Sequence, residues 1–210
     1  MSSPISLKDT ERKVFQSTFA DGLWDVFLGC SFPLQLAIGP FLSVSMGDFW
    51  SSAVFLPFWG AVYLVIWLVR KNVVALRVGM VKFGAARKNR LKKYYAAMLV
   101  INVIALILGI VAFLGFGSLP VGGPPFILGL ILLIGFSTAA YFLDFPRLYA
   151  YGLLGALGTP IGEWLYQNMG ASHHGFPIAF GTLAGVMILI GLVTFARFLR
   201  NNPLPAEDVR

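Results

Sequence analysis

Fifty consecutive residues, from Tyr94 to Leu143, carry no charged side chain. A water-soluble domain is normally about 25% charged and cannot leave so long a stretch uncovered. A bilayer removes that demand, because its ~30 Å hydrocarbon core is crossed by ~20 apolar residues in a helix. Fifty residues suit two crossings, and Pro120-Val-Gly-Gly-Pro-Pro125 marks the turn between them. The stretch from Phe49 to Val69 is also free of charge, yet the segment between the two, Arg70 to Lys93, holds nine basic residues and no acidic one.

This pattern predicts an all-α integral membrane protein with six transmembrane helices. They fall at about 23–44, 49–69, 94–118, 126–143, 148–167 and 176–199, within one membrane domain covering 21–200. Tight turns are expected at Met46–Asp48 and at Asp144-Phe-Pro-Arg147. The fifth helix, with Gly152, Gly155, Gly158, Pro160 and Gly162, is expected to be broken. Residues 1–20 form an N-terminal segment that suits an interfacial helix, and 201–210 form a short tail. No cleavable signal is expected in this segment, because charged residues occupy the place of its apolar core. Six crossings bring both termini to one side. All sixteen Lys and Arg residues then lie on that side, which the positive-inside rule makes cytoplasmic. Trp and Tyr give a second check, since Trp24, Trp67, Tyr94, Tyr95, Tyr149 and Tyr151 gather at the inner ends.

Composition narrows the function classes. With 58% hydrophobic and 12% charged residues in 210, the spans leave no room for a soluble catalytic domain. A net charge of +7 would suggest nucleic acid in a soluble protein, but here it is concentrated beside membrane spans, and no nucleic acid is expected. Cys30 is the single cysteine, so no intrachain disulfide forms. No Cys/His metal spacing occurs, and neither a metal nor a cofactor is expected.

Three groups of residues could carry chemistry. The basic loop 70–93 lies between helices two and three, and its β-type residues around Gly79 suggest a small hairpin. Arg77, Lys82, Arg87, Lys88, Arg90, Lys92 and Lys93 would meet anionic lipid headgroups or an acidic protein partner. At the inner face Asp21, Asp25, Asp144, Arg147 and Arg70 form a charge cluster whose members either neutralise one another or admit a proton or cation. At the outer face Glu163 is expected near the interface, with His173, His174 and Asp48 in the neighbouring loops. Small-xxx-small patterns at Gly158–Gly162 and Gly181–Gly185 permit close helix packing or a homo-oligomer.

Asp21-Gly-Leu-Trp-Asp25, Arg77-Val-Gly-Met-Val-Lys-Phe-Gly84 and His174-Gly-Phe-Pro177 give the chain a further cue. Through them it resembles uncharacterised small polytopic membrane proteins of prokaryotes. The resemblance implies a bacterial or archaeal cytoplasmic membrane and no particular activity. The leading expectation is a non-enzymatic subunit or accessory of a membrane assembly, docking through the basic loop. The alternatives are a small transporter or channel built on Glu163 in a broken fifth helix, and an intramembrane enzyme using the outer Glu/His cluster.

Overall fold

The computed structural model describes Phe15 and residues 19–78, 85–114 and 123–204. Among the described residues the regular elements are all helical, with no strand. The α-helices are α1 (Leu23–Cys30), α2 (Phe32–Ala53), α3 (Phe55–Val69), α4 (Ala75–Val78), α5 (Ala85–Leu114), α6 (Gly123–Leu143), α7 (Arg147–Met169) and α8 (Phe176–Asn201). A π-helical turn, Arg70–Val74, joins α3 to α4, and a 3-10 turn, His173–Gly175, precedes α8. Helices suit so apolar a chain because they satisfy backbone N–H and C=O groups within one segment. The chain forms two compact units, Met1–Lys82 with Ala184–Arg210, and Phe83–Leu183.

In the first unit α1 ends at Ser31, whose hydroxyl donates to the Leu28 carbonyl at 2.7 Å. Pro33 stands in the first turn of α2, where its missing N–H leaves no helical bond unmade. Helical geometry fails again at Gly47 (φ 78°, ψ 162°), inside the expected turn at Met46–Asp48. The chain folds back there. A Cβ on Gly39 would lie 3.9 Å from Phe55 Cε2, whereas a straight helix would hold these residues roughly 24 Å apart. Phe27 and Tyr63 meet with ring centroids 6.1 Å apart, and Arg70 reaches Asp21 at 2.7 Å. Helices α1 and α2 therefore run antiparallel to α3.

Helix α8 closes this unit against α1 through glycine. Gly22 adopts φ +76°, and a Cβ there would collide with the Gly191 carbonyl oxygen. A Cβ on Gly191 would lie 2.6 Å from Val26 Cγ2, and one on Gly29 2.8 Å from Ile188 Cγ1. Backbones this close need residues without side chains.

The second unit is built on α7. A Cβ on Gly152 would lie 2.8 Å from Phe136 Cβ, and one on Gly129 would lie 2.8 Å from the Ala156 carbonyl. These contacts pack α6 and α7 antiparallel around the Asp144 turn. Gly158 and Gly162 face the start of α8 at Ala179 and Phe176, so this small-residue pattern serves packing within the chain. The expected break in this helix is absent: α7 runs unbroken from Arg147 to Met169 with Pro160 inside it. Pro160 removes the N–H that the Ala156 carbonyl would accept. Thr159, fully buried, donates its hydroxyl to that carbonyl at 3.0 Å instead.

Among the described residues four segments are long and apolar enough to cross a membrane: Leu23–Ala53, Arg87–Val111, Pro125–Leu143 and His173–Asn201. The first counts as one segment, yet it breaks at Ser31 and Gly47. The expected crossings at 49–69 and 148–167 are outside this set. Helix α3 alone has 15 residues, and α7 gives positions to glycine, Thr159, Pro160 and Glu163. The first arm of the expected hairpin is helical, because Arg70–Val74 and Ala75–Val78 continue the turn of α3. Residues 79–84 fall outside the described residues, as does the expected interfacial helix apart from Phe15, Phe19 and Ala20.

Candidate functional site

The five residues expected in one inner cluster divide between the units. In the first, Asp21 precedes α1 and accepts the Leu23 N–H through Oδ1 at 3.1 Å. Its Oδ2 accepts from Arg70 Nη2 at 2.7 Å and Nε at 3.0 Å. The Arg70 guanidinium also lies 5.4 Å from the Trp24 ring centroid, so charge pairing and a cation–π contact fix the end of α3 on the start of α1. Asp25, fully buried, stands in the first turn of α1, where the helix dipole favours negative charge.

In the second unit Asp144 occupies the turn between α6 and α7 with φ 51°. A short polar side chain tolerates this left-handed geometry better than most. Asp144 Oδ2 accepts from Arg87 Nη1 at 2.9 Å and from Arg90 Nη1 at 2.8 Å. Arg90 Nη2 donates to Oδ1 at 3.2 Å and also to the Tyr141 carbonyl. Burial of Asp144 would raise its pKa. The hydrogen bond from Arg87, with the charges of Arg90 and Arg87, outweighs that and holds the carboxyl below the usual carboxylate range. Arg147 lies over the Phe145 ring, its guanidinium carbon 5.1 Å from the centroid.

These pairings correct the assignment of the basic loop. Arg87, with its side chain only 7% exposed, is a structural partner of Asp144 and not a lipid contact. Arg90 joins it. Arg77 Nη1 donates to the Asn202 carbonyl at 2.6 Å and the Leu199 carbonyl at 3.4 Å, capping the end of α8. All four arginines of 70–93 are thus engaged within the chain. Lys71, Lys88, Lys92 and Lys93 are exposed, Lys71 with its ammonium 5.2 Å from the Trp67 ring centroid. Lys82 falls outside the described residues.

The partition follows the geometry of α5. At about 100° per residue, Arg87, Arg90, Leu91, Tyr94, Ala97, Met98, Ile101, Ala105 and Leu108 share one face, and these are its buried and half-buried positions among the described side chains. Tyr94 meets Phe142 of α6 with centroids 6.2 Å apart. Lys88, Lys92 and Lys93 lie on the remaining arc above exposed Leu99, Val100, Val103, Ile104 and Ile107. The partners of Asp144 had a signal in the sequence. It is the only acidic residue between Asp48 and Glu163, and Arg87 and Arg90 are three apart, as one helix face requires.

At the other end of α7, Glu163 pairs with His174. His174 Nδ1 lies 3.0 Å from Glu163 Oε2, and Gln167 Nε2 donates to Oε1 at 2.8 Å. The Glu163 side chain is 12% exposed and that of His174 60%. The His174 ring stacks on Tyr166 with centroids 4.5 Å apart. His173, His174 and Gly175 all take positive φ, and Gly175 sits directly on the Gly162 carbonyl. Among the described residues no three His, Cys, Asp or Glu side chains converge as a metal site would need. The expected outer cluster is therefore a Glu163–His174 pair, with His173 in the same turn and Asp48 in the other unit.

Fold and side chains together define a helical protein with four segments, among the described residues, fit to cross a membrane, braced by arginine–aspartate pairs. No family model matches this chain, and neither a curated protein nor a solved structure gives a significant match.

Proposed function

We propose that the chain is a multi-pass membrane protein of a prokaryotic cytoplasmic membrane. It crosses six times with both termini inside and acts as a non-enzymatic subunit or accessory of a membrane assembly. Three features support the crossings. The helix pairs in contact within each unit, α1–α2 with α3, α6 with α7, and α7 with α8, are antiparallel, as successive crossings require. Past Gly47, backbone angles stay helical through Val54 to Val69, a length of about 33 Å. Helix α7, with 23 residues, reaches about 35 Å.

One observation carries the non-enzymatic role: Asp21, Asp144 and Glu163 each hold a side-chain partner in their own unit. These are three of the five acids that proton transfer or transport would draw on. A path lined by exposed backbone has no support from α7, whose helix is continuous. Extraction in a mild detergent tests the reading. The chain is expected to co-purify with a stoichiometric partner protein. Solute or proton flux across vesicles containing this chain alone, abolished by Glu163→Gln, would replace it with the transporter reading.

A further inference from the structure

We propose that Lys88, Lys92 and Lys93 form a binding row for the phosphate headgroups of anionic phospholipids. The proposal rests on the membrane reading above and adds the ligand class and the residues that hold it. Its first support is selection. The arginines of the same segment are drawn inward to Asp144, Asp21 and the end of α8, while these lysines stay on the outward arc of α5.

The second support is depth. From Tyr95 to the end of α5 at Leu114 the helix rises ~30 Å, the thickness of the hydrocarbon core. None of the apolar window of Arg87–Val111 is buried inside the protein, so this helix offers its outer surface to lipid chains. With Tyr95 at the boundary, Lys93 to Lys88 stand ~3–10 Å above it, at the level of lipid phosphates. Their flexible stems let the ammonium groups reach those phosphates. The third support is charge. No acidic residue lies between Asp48 and Asp144, and Asp144 is already shared by two arginines. Among the described residues no carboxylate pairs with the row, so its positive charge is available to a negative ligand. Headgroup phosphates fit it better than an acidic protein, because the apolar surface continuing below it along α5 suits the lipid's own chains.

The full chain is placed in nanodiscs of equimolar phosphatidylglycerol and phosphatidylcholine with matched acyl chains. Lipids retained on release are counted by native mass spectrometry. Wild type is expected to retain phosphatidylglycerol over phosphatidylcholine by at least about fivefold, the effect of one basic residue beside anionic lipid. The preference should fall toward parity in K88Q/K92Q/K93Q and persist in K88R/K92R/K93R. In wild type it should also weaken between 0.1 and 1 M salt, as the screening length drops from about 10 to about 3 Å; that arm needs no variant to fold. An unchanged preference in the glutamine variant, or one indifferent to salt, overturns the proposal. So does loss of a co-purifying acidic protein in that variant with the lipid ratio unmoved, which would make the row a protein dock. Alkaline carbonate separates the two levels. A wild-type chain washed from membranes contradicts the membrane reading itself, whereas an embedded chain without lipid preference contradicts only this inference.

Discussion

The two faces of α5 at its basic end teach different lessons, although their residues interleave along seven positions of sequence. Arg87 and Arg90 turn inward and share one carboxylate, whereas Lys88, Lys92 and Lys93 turn outward and hold none among the described residues. A guanidinium is planar and can donate to several acceptors at fixed angles, so Arg90 serves both oxygens of Asp144 and the Tyr141 carbonyl. An ammonium on a flexible stem keeps its hydration more readily. The same formal charge is used for bracing on one face and for surface potential on the other.

The largest expected effect is on the inward face. Asp144→Asn leaves Arg87 buried without its counter-charge and should cost about 3 kcal/mol, or on the order of 10 °C in Tm in detergent. Thermal unfolding of the purified variant measures this. The comparison sharpens with pH. Asp144 is held below the usual carboxylate range, so its contribution is complete above the unfolded value near pH 3.9 and is lost as pH falls through the lower folded value. Wild type should lose Tm below about pH 4, and Asp144→Asn should lack that acid-side component of the loss.

Arg70→Gln removes a partner that is more exposed than Arg87. A smaller loss, about 2 kcal/mol, is expected, visible as a lower denaturation midpoint. Glu163→Gln breaks a pair whose histidine is mostly exposed. The expected cost is about 1 kcal/mol or less by the same assay. A Glu163 loss as large as that of Asp144 would mean that the outer pair braces the fold as strongly as the inner one. Smallest of all, K88Q/K92Q/K93Q should stay within about 0.5 kcal/mol of wild type in neutral detergent, because these lysines are exposed and make no hydrogen bond or ion pair among the described residues.

The helical class and the turn at Gly47 were legible in the sequence, because charge-free length and a glycine in a polar turn are local signals. So was the turn at Asp144. The partner choice left a cue only in the spacing of Arg87 and Arg90. Composition assigned Arg77, Lys82, Arg87, Lys88, Arg90, Lys92 and Lys93 to one surface, since a charge count does not carry helix phase. Which face of α5 meets Asp144 is fixed by its packing on α6. Pro160 misled for a similar reason. A proline in a glycine-rich helix signals a break, but the Thr159 hydroxyl satisfies the carbonyl it orphans. His173 and His174 take positive φ beside the close approach of Gly175 to Gly162, a long-range contact that the local sequence does not show.

The division of labour on α5 is tested most directly by two variants matched in charge, R87Q/R90Q and K88Q/K92Q, each removing two positive charges from the same helix. Their Tm values are measured side by side in one neutral detergent. The arginine variant should fall by on the order of 10 °C and the lysine variant by less than about 2 °C. Equal shifts in the two would contradict the account, because net charge alone would then explain both faces.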